Sequence, residues 1–215
     1  GAVCCWQGVA AFQERIRKIM SVNLQKGQKV ELRKNNGGSL RRVMVGLGWD
    51  EVKQRRGFFA PKPEDIDCDA SAFLCVDGHL RGVQDVVYFG NLTHQCGAVR
   101  HMGDNLTGAG EGDDEQILVD LSSLPDQFDK LVFVVNIYQA KQRKQHFGMV
   151  ENAFIRICDA ETNQELCKYN LSENYDNMTA MVFGELYRYK GEWKFSAIGQ
   201  PTQDNSVGEL ANRFV

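Results

Sequence analysis

Short apolar stretches alternate with turn residues along most of this 215-residue chain. The stretches are rich in Val, Ile, Phe and Tyr, and Gly, Asn and Asp separate them, a pattern typical of β-strands. We predict strands at Lys29–Leu32, Arg42–Leu47, Ala70–Val76, Asp85–Phe89, Gln116–Leu121, Leu131–Ile137, Ala153–Cys158, Glu165–Tyr169, Met181–Tyr189 and Trp193–Ile198.

The last two predicted strands flank Lys190-Gly191-Glu192, a glycine-containing turn of hairpin length. Helical periodicity is scarce, and we predict only short helices at Ala140–Phe147 and Val207–Phe214. Many short strands at near-regular spacing favour two sheets packed face to face. The predicted fold is therefore mainly β, a single-domain β-sandwich with a few short helices.

Residues 1–19 differ from the rest of the chain, because a weak helical period precedes a natural start at Met20. We interpret 1–19 as a leader, tag or extension and 20–215 as one domain. The apolar positions of residues 1–19 are interrupted by charged residues, so this segment lacks the continuous apolar core of a signal peptide or membrane span. We therefore expect a cytoplasmic protein without direct membrane insertion.

The charge balance argues against a general electrostatic partner. The chain carries 28 acidic and 25 basic residues, a net charge of -3, whereas binding to a nucleic-acid backbone or an anionic membrane needs a basic surface. We expect no direct nucleic-acid binding.

The seven cysteines are odd in number and several lie in apolar runs, which favours reduced, buried thiols.

The acidic residues are unevenly distributed. No Lys or Arg lies between Arg100 and Lys130, whereas eight carboxylates do. Within this stretch the segment from Gly103 to Glu115 combines glycines, which permit sharp turns, with carboxylates, which are hard oxygen ligands. Calcium takes about six to eight oxygen ligands in flexible geometry. The segment is either a calcium-binding loop or a solvated acidic turn.

A second acidic element favours the metal site. Asp65, Asp67, Asp69 and Ser71 alternate along the entrance to an apolar strand, which puts them on one side of the chain. Aligned carboxylates repel one another unless a cation neutralises them. Asp50 follows another strand end, and we include it among the candidate ligands.

Two common metal sites do not fit. Starting an EF-hand loop at Asp65 or at Asp104 leaves required positions without ligand side chains. Zinc prefers Cys and His, and the four histidines show no ligand spacing. His94 and Cys96 are two residues apart, and we interpret them as structural.

Six segments, taken in order, resemble the TerD family of tellurium-resistance proteins: Met20–Gly27, Val45–Asp50, Asp67–Leu74, Gly103–Glu115, Asn152–Arg156 and Phe183–Arg188. The resemblance runs from Met20 to the C-terminus. It implies a cytoplasmic, calcium-binding β-sandwich that takes part in resistance to tellurite and other chemical stress. It also implies protein partners of the tellurium-resistance system, some of them membrane-associated.

Carried over by residue, the resemblance marks these candidate metal ligands: Asp67, Asp69, Asp104, Asn105, Gly108, Gly110, Asp113, Asp114 and Glu115, with Asp50 and Glu185 as weaker candidates. Cys68 replaces a usual apolar residue, and an insertion-like segment from Lys53 to Pro63 precedes the first motif. Cys68 should face away from its acidic neighbours, so we do not assign it to metal.

We predict that the protein is a monomeric calcium-binding module and not an enzyme. Bound calcium would order the acidic loops and create a surface that partners recognise. A metal-dependent hydrolase is one alternative, because carboxylates and a divalent ion can activate water. A cyclic-nucleotide-binding protein is the other, although the chain has no phosphate-binding loop of the Gly-x-x-x-x-Gly-Lys type.

Overall fold

The computed structural model describes residues 21–34, 37–51, 65–104 and 112–215, and these form a sandwich of two β-sheets. The strands are β1 (Val22–Leu24), β2 (Lys29–Glu31), β3 (Arg42–Glu51), β4 (Cys68–Val76), β5 (His79–Leu80), β6 (Val86–Val87), β7 (Val99–Asp104), β8 (Glu115–Asp120), β9 (Lys130–Ile137), β10 (Val150–Asp159), β11 (Gln164–Asn170), β12 (Ala180–Tyr189) and β13 (Glu192–Thr202). The helices are α1 (Ala140–Arg143) and α2 (Val207–Ala211).

The first sheet has the order β1-β11-β10-β3-β8-β7, and the second has the order β2-β13-β12-β9-β4-β5, with β6 paired to β4. Neighbouring strands are antiparallel except for β1 and β11, which are parallel. The predicted β-sandwich is confirmed. Three strand pairings bring the predicted metal ligands to one end of the sandwich: Cys68 pairs with Ile137, Leu47 with Glu115, and Asp104 with Glu115.

The main core lies between the two sheets, and the longer strands contribute alternate residues to it. On β4 these are Cys68, Ala70, Ala72 and Leu74. The opposite face of β4 carries Phe73 and Cys75 into a second, smaller apolar cluster, which α2 and the C-terminal segment cover. The ring of Phe214 meets that of Phe73 edge to face at 5.6 Å. The second sheet is thus covered on both faces over part of its area.

The predicted elements agree with the structure apart from their ends and three omissions. Lys190 and Gly191 form a two-residue hairpin turn with φ of 53° and 80°, and Glu192 already belongs to β13. The first helix is shorter than predicted, because Lys144 adopts a left-handed conformation that ends it. The strands β1, β5 and β7 were not predicted. The proposed leader, 1–19, lies outside the described residues.

Among the described residues, no helix combines the length and the apolar character that crossing a membrane requires. The described cysteines are Cys68, Cys75, Cys96, Cys158 and Cys167, and all five are free thiols.

Candidate metal centre

Six described carboxylates gather at one end of the sandwich, which we call the acidic end: Asp50, Asp67, Asp69, Asp113, Asp114 and Glu115. They meet because β4 and β8 begin there, whereas β3, β7 and β9 finish there. Two motifs that are distant in sequence are thus brought together by antiparallel pairing within each sheet and by packing between the sheets.

Glu115 connects the two sheets from inside the core. Its side chain is 7% exposed, and its carboxylate accepts a hydrogen bond from the Ala70 backbone N–H across the sandwich. The Glu115 Oε2 atom also lies 3.3 Å from His101 Nε2. Since the Gly103 backbone N–H donates to His101 Nδ1 at 3.0 Å, the proton of a neutral His101 ring is on Nε2 and donates to Glu115.

Asp113 is neutralised by an arginine. Its two oxygens accept from Arg156 Nε at 2.7 Å and Arg156 Nη2 at 2.9 Å, a bidentate pair, and Gln116 adds a bond of 2.9 Å. The Asp113 side chain is 2% exposed. This contact raises the pKa of Arg156. Because Asp113 lies directly over the backbone of Gly46, a side chain at position 46 would collide with it.

Asp114 faces solvent but lies among other acids. Its backbone N–H donates to Leu47 O at 2.8 Å, and its Oδ2 accepts from the Trp49 backbone N–H at 2.7 Å. Partial loss of its water shell raises the pKa of Asp114, and repulsion from Asp50, Asp113 and Glu115 adds to the rise, against the lowering effect of the Trp49 bond. Asp114 is therefore a carboxylate whose surroundings disfavour its charge.

Asp67 and Asp69 flank Cys68 where β4 begins. Burial raises the pKa of the Cys68 thiol well above its ordinary value, and the negative charges of Glu115, Asp69, Asp67 and Asp114 raise it further. The thiol therefore lies within electrostatic reach of carboxylates from both motifs. Cys68 itself belongs to the core between the sheets.

Oxygen atoms without hydrogen bonds lie beside Asp69. Ser71 and Asn136 are 1% and 5% exposed, and within the described residues neither Ser71 Oγ nor Asn136 Oδ1 has a hydrogen-bond partner. Asn136 is directly opposite Asp69 in the ladder between β4 and β9. These three side chains line one cavity of about 470 Å³, which Tyr138 and Phe89 also line. An unpaired buried oxygen is costly unless a ligand or water satisfies it.

Asp50 and the predicted site residues outside this set of six are placed as follows. Asn105, Gly108 and Gly110 lie outside the described residues. Asp104 is the last residue of β7 and pairs with Glu115. Asp50 Oδ2 accepts from Asn152 Nδ2 at 2.9 Å. Glu185 is not at the acidic end: it pairs with Val132 in the middle of the second sheet and lies 3.3 Å from Lys130 Nζ.

Across the described ranges, no three His, Cys, Asp or Glu side chains form a group that could hold a metal by themselves. Sequence reasoning missed His101, Arg156 and Asn136, three residues that contact or lie beside the predicted ligands. Arg156 lies on the predicted strand Ala153–Cys158, where a lone basic residue among apolar ones could have been noticed. No sequence signal distinguishes His101 or Asn136.

Comparison with known proteins identifies the family. The sequence model for the TerD domain matches residues 20–214. This chain, a β-sandwich with carboxylates gathered at one end, belongs to the TerD family. The family prediction is confirmed, and with it the association with tellurium resistance and stress response.

Two relatives cover nearly the whole chain. It is 48% identical to the stress response protein SCP2 of Bacillus subtilis (strain 168), over 91% of this chain and 100% of the relative. It is 47% identical to the tellurium resistance protein TerD of Serratia marcescens, over 84% of this chain and 91% of the relative. The crystal structure of a homologue of telluride resistance protein (TerD) from Streptomyces coelicolor A3(2) has a similar fold. It has a TM-score of 0.57 and 22% identity, and the match covers 82% of this chain and 99% of that one.

Proposed function

We propose that this protein is a calcium-binding stress-response module whose acidic end is ordered by the ion and then recognised by protein partners. The observation that carries the proposal is that the two acidic motifs reach the same end of the sandwich, where Glu115 at the start of β8 accepts a hydrogen bond from the Ala70 N–H, next to Asp69 at the start of β4. Cation binding would relieve their mutual repulsion. The names of the relatives, a stress response protein and a tellurium resistance protein, support the cellular role.

The available donors fit calcium better than zinc. The oxygens of Asp67, Asp69, Asp114 and Glu115 are hard ligands, and Ser71 Oγ and Asn136 Oδ1, which have no hydrogen-bond partner within the described residues, line one cavity with Asp69. Calcium takes about six to eight such oxygens, whereas zinc prefers Cys and His. Cys68 faces the core and His101 is held by Glu115. We leave out Asp113, because Arg156 and Gln116 occupy its oxygens, and Glu185, because it lies far from the others.

A partner surface adjoins the acidic end. The backbone N–H of Tyr138 donates to Asp67 O at 2.7 Å, which links the segment before β4 to the start of α1. Arg143 of α1 lies over the Tyr138 ring at 5.2 Å and lines a shallow cavity with Asp65 and Asp67. Ordering of Asp67 by calcium would therefore also fix the position of α1, and partner binding would depend on the ion.

Calcium titration tests the proposal directly. We expect saturable heat on isothermal titration of the chelator-stripped protein with calcium, and little or none with magnesium, which demands a smaller octahedral site. Calcium at a hundredfold excess over Kd should add about 2.7 kcal/mol to the free energy of unfolding. Absence of both the heat and the stabilisation would overturn the proposal.

Asp114→Asn should raise the free energy of unfolding in chelator but weaken calcium binding. In chelator, the variant should be more stable by a few tenths of a kcal/mol, because it removes a repelled charge that solvent partly screens. It keeps an oxygen that can accept from the Trp49 N–H. In calcium, its affinity for the ion should fall about tenfold, since a charged ligand is lost. Thermal unfolding and titration measure the two effects.

The pH dependence gives a further check on Asp114. Its folded-state pKa is raised, so the folded chain holds this proton more tightly than the unfolded chain. In chelator, the free energy of unfolding should consequently fall as pH rises from the ordinary aspartate range to the raised value, and Asp114→Asn should lack this part of the slope. Asp126→Asn, at the opposite end of the sandwich, is the control, because Asp126 is almost fully exposed. The same pH dependence of the free energy of unfolding in both variants would contradict the prediction.

A further inference from the structure

A cysteine, a histidine and an aspartate form a connected group away from the proposed calcium ligands. Residues 94–97 make a tight turn in which the Gly97 N–H donates to His94 O at 2.8 Å. The turn brings the Cys96 Sγ atom to 2.9 Å from His94 Nδ1. Cys96 is partly exposed, whereas His94 is 2% exposed. A surface thiol is therefore held against a buried imidazole.

Asp85 orients that imidazole from the other side. Its Oδ1 lies 3.1 Å from His94 Nε2, and the two side chains are 7% and 1% exposed. The Phe128 ring meets the imidazole edge to face at 5.3 Å and restricts its rotation. Since the Cys96 backbone N–H donates to Nδ1 at 3.1 Å, Nδ1 is the acceptor nitrogen, and the ring proton is on Nε2 facing Asp85.

This arrangement has the parts of an activated nucleophile: a thiol, a base within hydrogen-bond distance, and a third group that fixes the base. The other described cysteines lack them. Burial raises the pKa of Cys75 and Cys158 to about 11 and that of Cys167 to about 12, and it also raises the pKa of Cys68. Burial disfavours the reactive thiolate form of those four thiols, so they serve as controls for the reactivity of Cys96.

We infer that Cys96 is a reactive thiol, activated by His94 and positioned through Asp85, that reduces hydroperoxides. The thiol proton passes to His94 Nδ1 as Sγ attacks the terminal peroxide oxygen. A sulfur–oxygen bond forms, the oxygen–oxygen bond breaks, and the proton on Nδ1 goes to the departing oxygen as water or an alcohol. Sulfur loses two electrons to the peroxide, and Cys96 becomes a sulfenic acid.

A hydroperoxide suits this position better than a large substrate does. Cys96 lies in a tight surface turn, where a reagent of a few atoms reaches sulfur without a dedicated binding cavity. An acyl-transfer reaction would in addition need positioned donors for an oxyanion. The inference goes beyond calcium binding, because the chemistry uses neither the ion nor its proposed ligands.

The first test compares folded and unfolded wild-type protein. Chelator-treated protein is exposed to hydrogen peroxide with dimedone, which traps sulfenic acids, and mass spectrometry follows each cysteine peptide. We expect labelling of Cys96 in the folded chain to be at least tenfold faster than in the urea-unfolded chain and than at Cys75, Cys158 or Cys167. A merely structural contact would make folding slow the reaction, and that result would overturn the inference.

Variants then separate activation from exposure. His94→Gln should slow labelling of Cys96 by roughly tenfold or more, the lower end of what a general base contributes. Asp85→Asn, which keeps the shape of the side chain, should slow it less. His79→Gln, at an exposed histidine, should leave it unchanged. Unchanged rates of Cys96 labelling in folded Asp85→Asn and His94→Gln would exclude the proposed roles of these two residues. If His94→Gln fails to fold, the comparison of folded with unfolded wild type and the rate in Asp85→Asn test the inference.

Discussion

Replacing Arg156 by Met should lower the free energy of unfolding by about 3 kcal/mol, because the substitution leaves the buried charge of Asp113 without the arginine that neutralises it. The Asp113 side chain is 2% exposed and loses two of the hydrogen bonds that satisfy it, those from Nε and Nη2. Arg156 is 18% exposed, which places the effect at the lower end of the range for buried pairs. Denaturant unfolding in chelator measures it, and the melting temperature should fall by roughly 6–12 °C.

Two further variants assign the loss to Asp113. Adding Asp113→Asn to the Arg156 variant should restore part of the stability, since the uncompensated charge is removed and the double-mutant cycle isolates the coupling. Arg81→Met removes an arginine that pairs with exposed Asp77 at 3.4 Å, and it should cost less than about 1 kcal/mol. An Arg156→Met protein within about 1 kcal/mol of wild type would show that solvent already screens Asp113.

The strands were predictable where a strand has a neighbouring strand on each side, because its residues are then mostly apolar. β9 and β12 lie inside the second sheet and contain the apolar runs 131–135 and 180–183. β7 is an edge strand of the first sheet, and its residues from Arg100 to Gly103 do not form an apolar run. β1 has three residues and pairs in parallel with β11, which is remote in sequence. Edge strands leave weak sequence patterns because only one side and part of one face are constrained.

The candidate site was predictable as a set of residues but not as a geometry. The alternation that placed Asp69 and Ser71 on one side of the chain follows from the period of a strand, and both lie on the face of β4 that points away from the main core. The contact between Glu115 and Ala70 depends on how the two sheets pack, which no local pattern encodes. The same holds for Arg156, which pairs with Asp113 across 43 positions of sequence.

Replacing Asp67 and Asp69 together by Asn should weaken calcium binding at least 100-fold, which corresponds to about 2.7 kcal/mol. Each substitution removes a charge but keeps one side-chain oxygen, so the loss reports the anionic character that calcium requires of its ligands. In chelator the double variant should be as stable as wild type or slightly more stable, because repulsion around Glu115 decreases. In saturating calcium it should lack the stabilisation that wild type gains. Isothermal titration and thermal unfolding at matched calcium concentrations measure both effects.

A second double variant separates the site from net charge. Asp77→Asn with Asp126→Asn also removes two carboxylates, but both are almost fully exposed and lie at the opposite end of the sandwich. Calcium affinity and calcium stabilisation should be unchanged in this control. Equal losses in both double variants would mean that calcium responds to overall charge, and unchanged affinity in the Asp67 and Asp69 variant would remove these residues from the ligand set. Loss of calcium affinity only in the Asp67 and Asp69 variant would instead place the ion where β4 and β8 begin, a position from which one bound ion can contact both sheets.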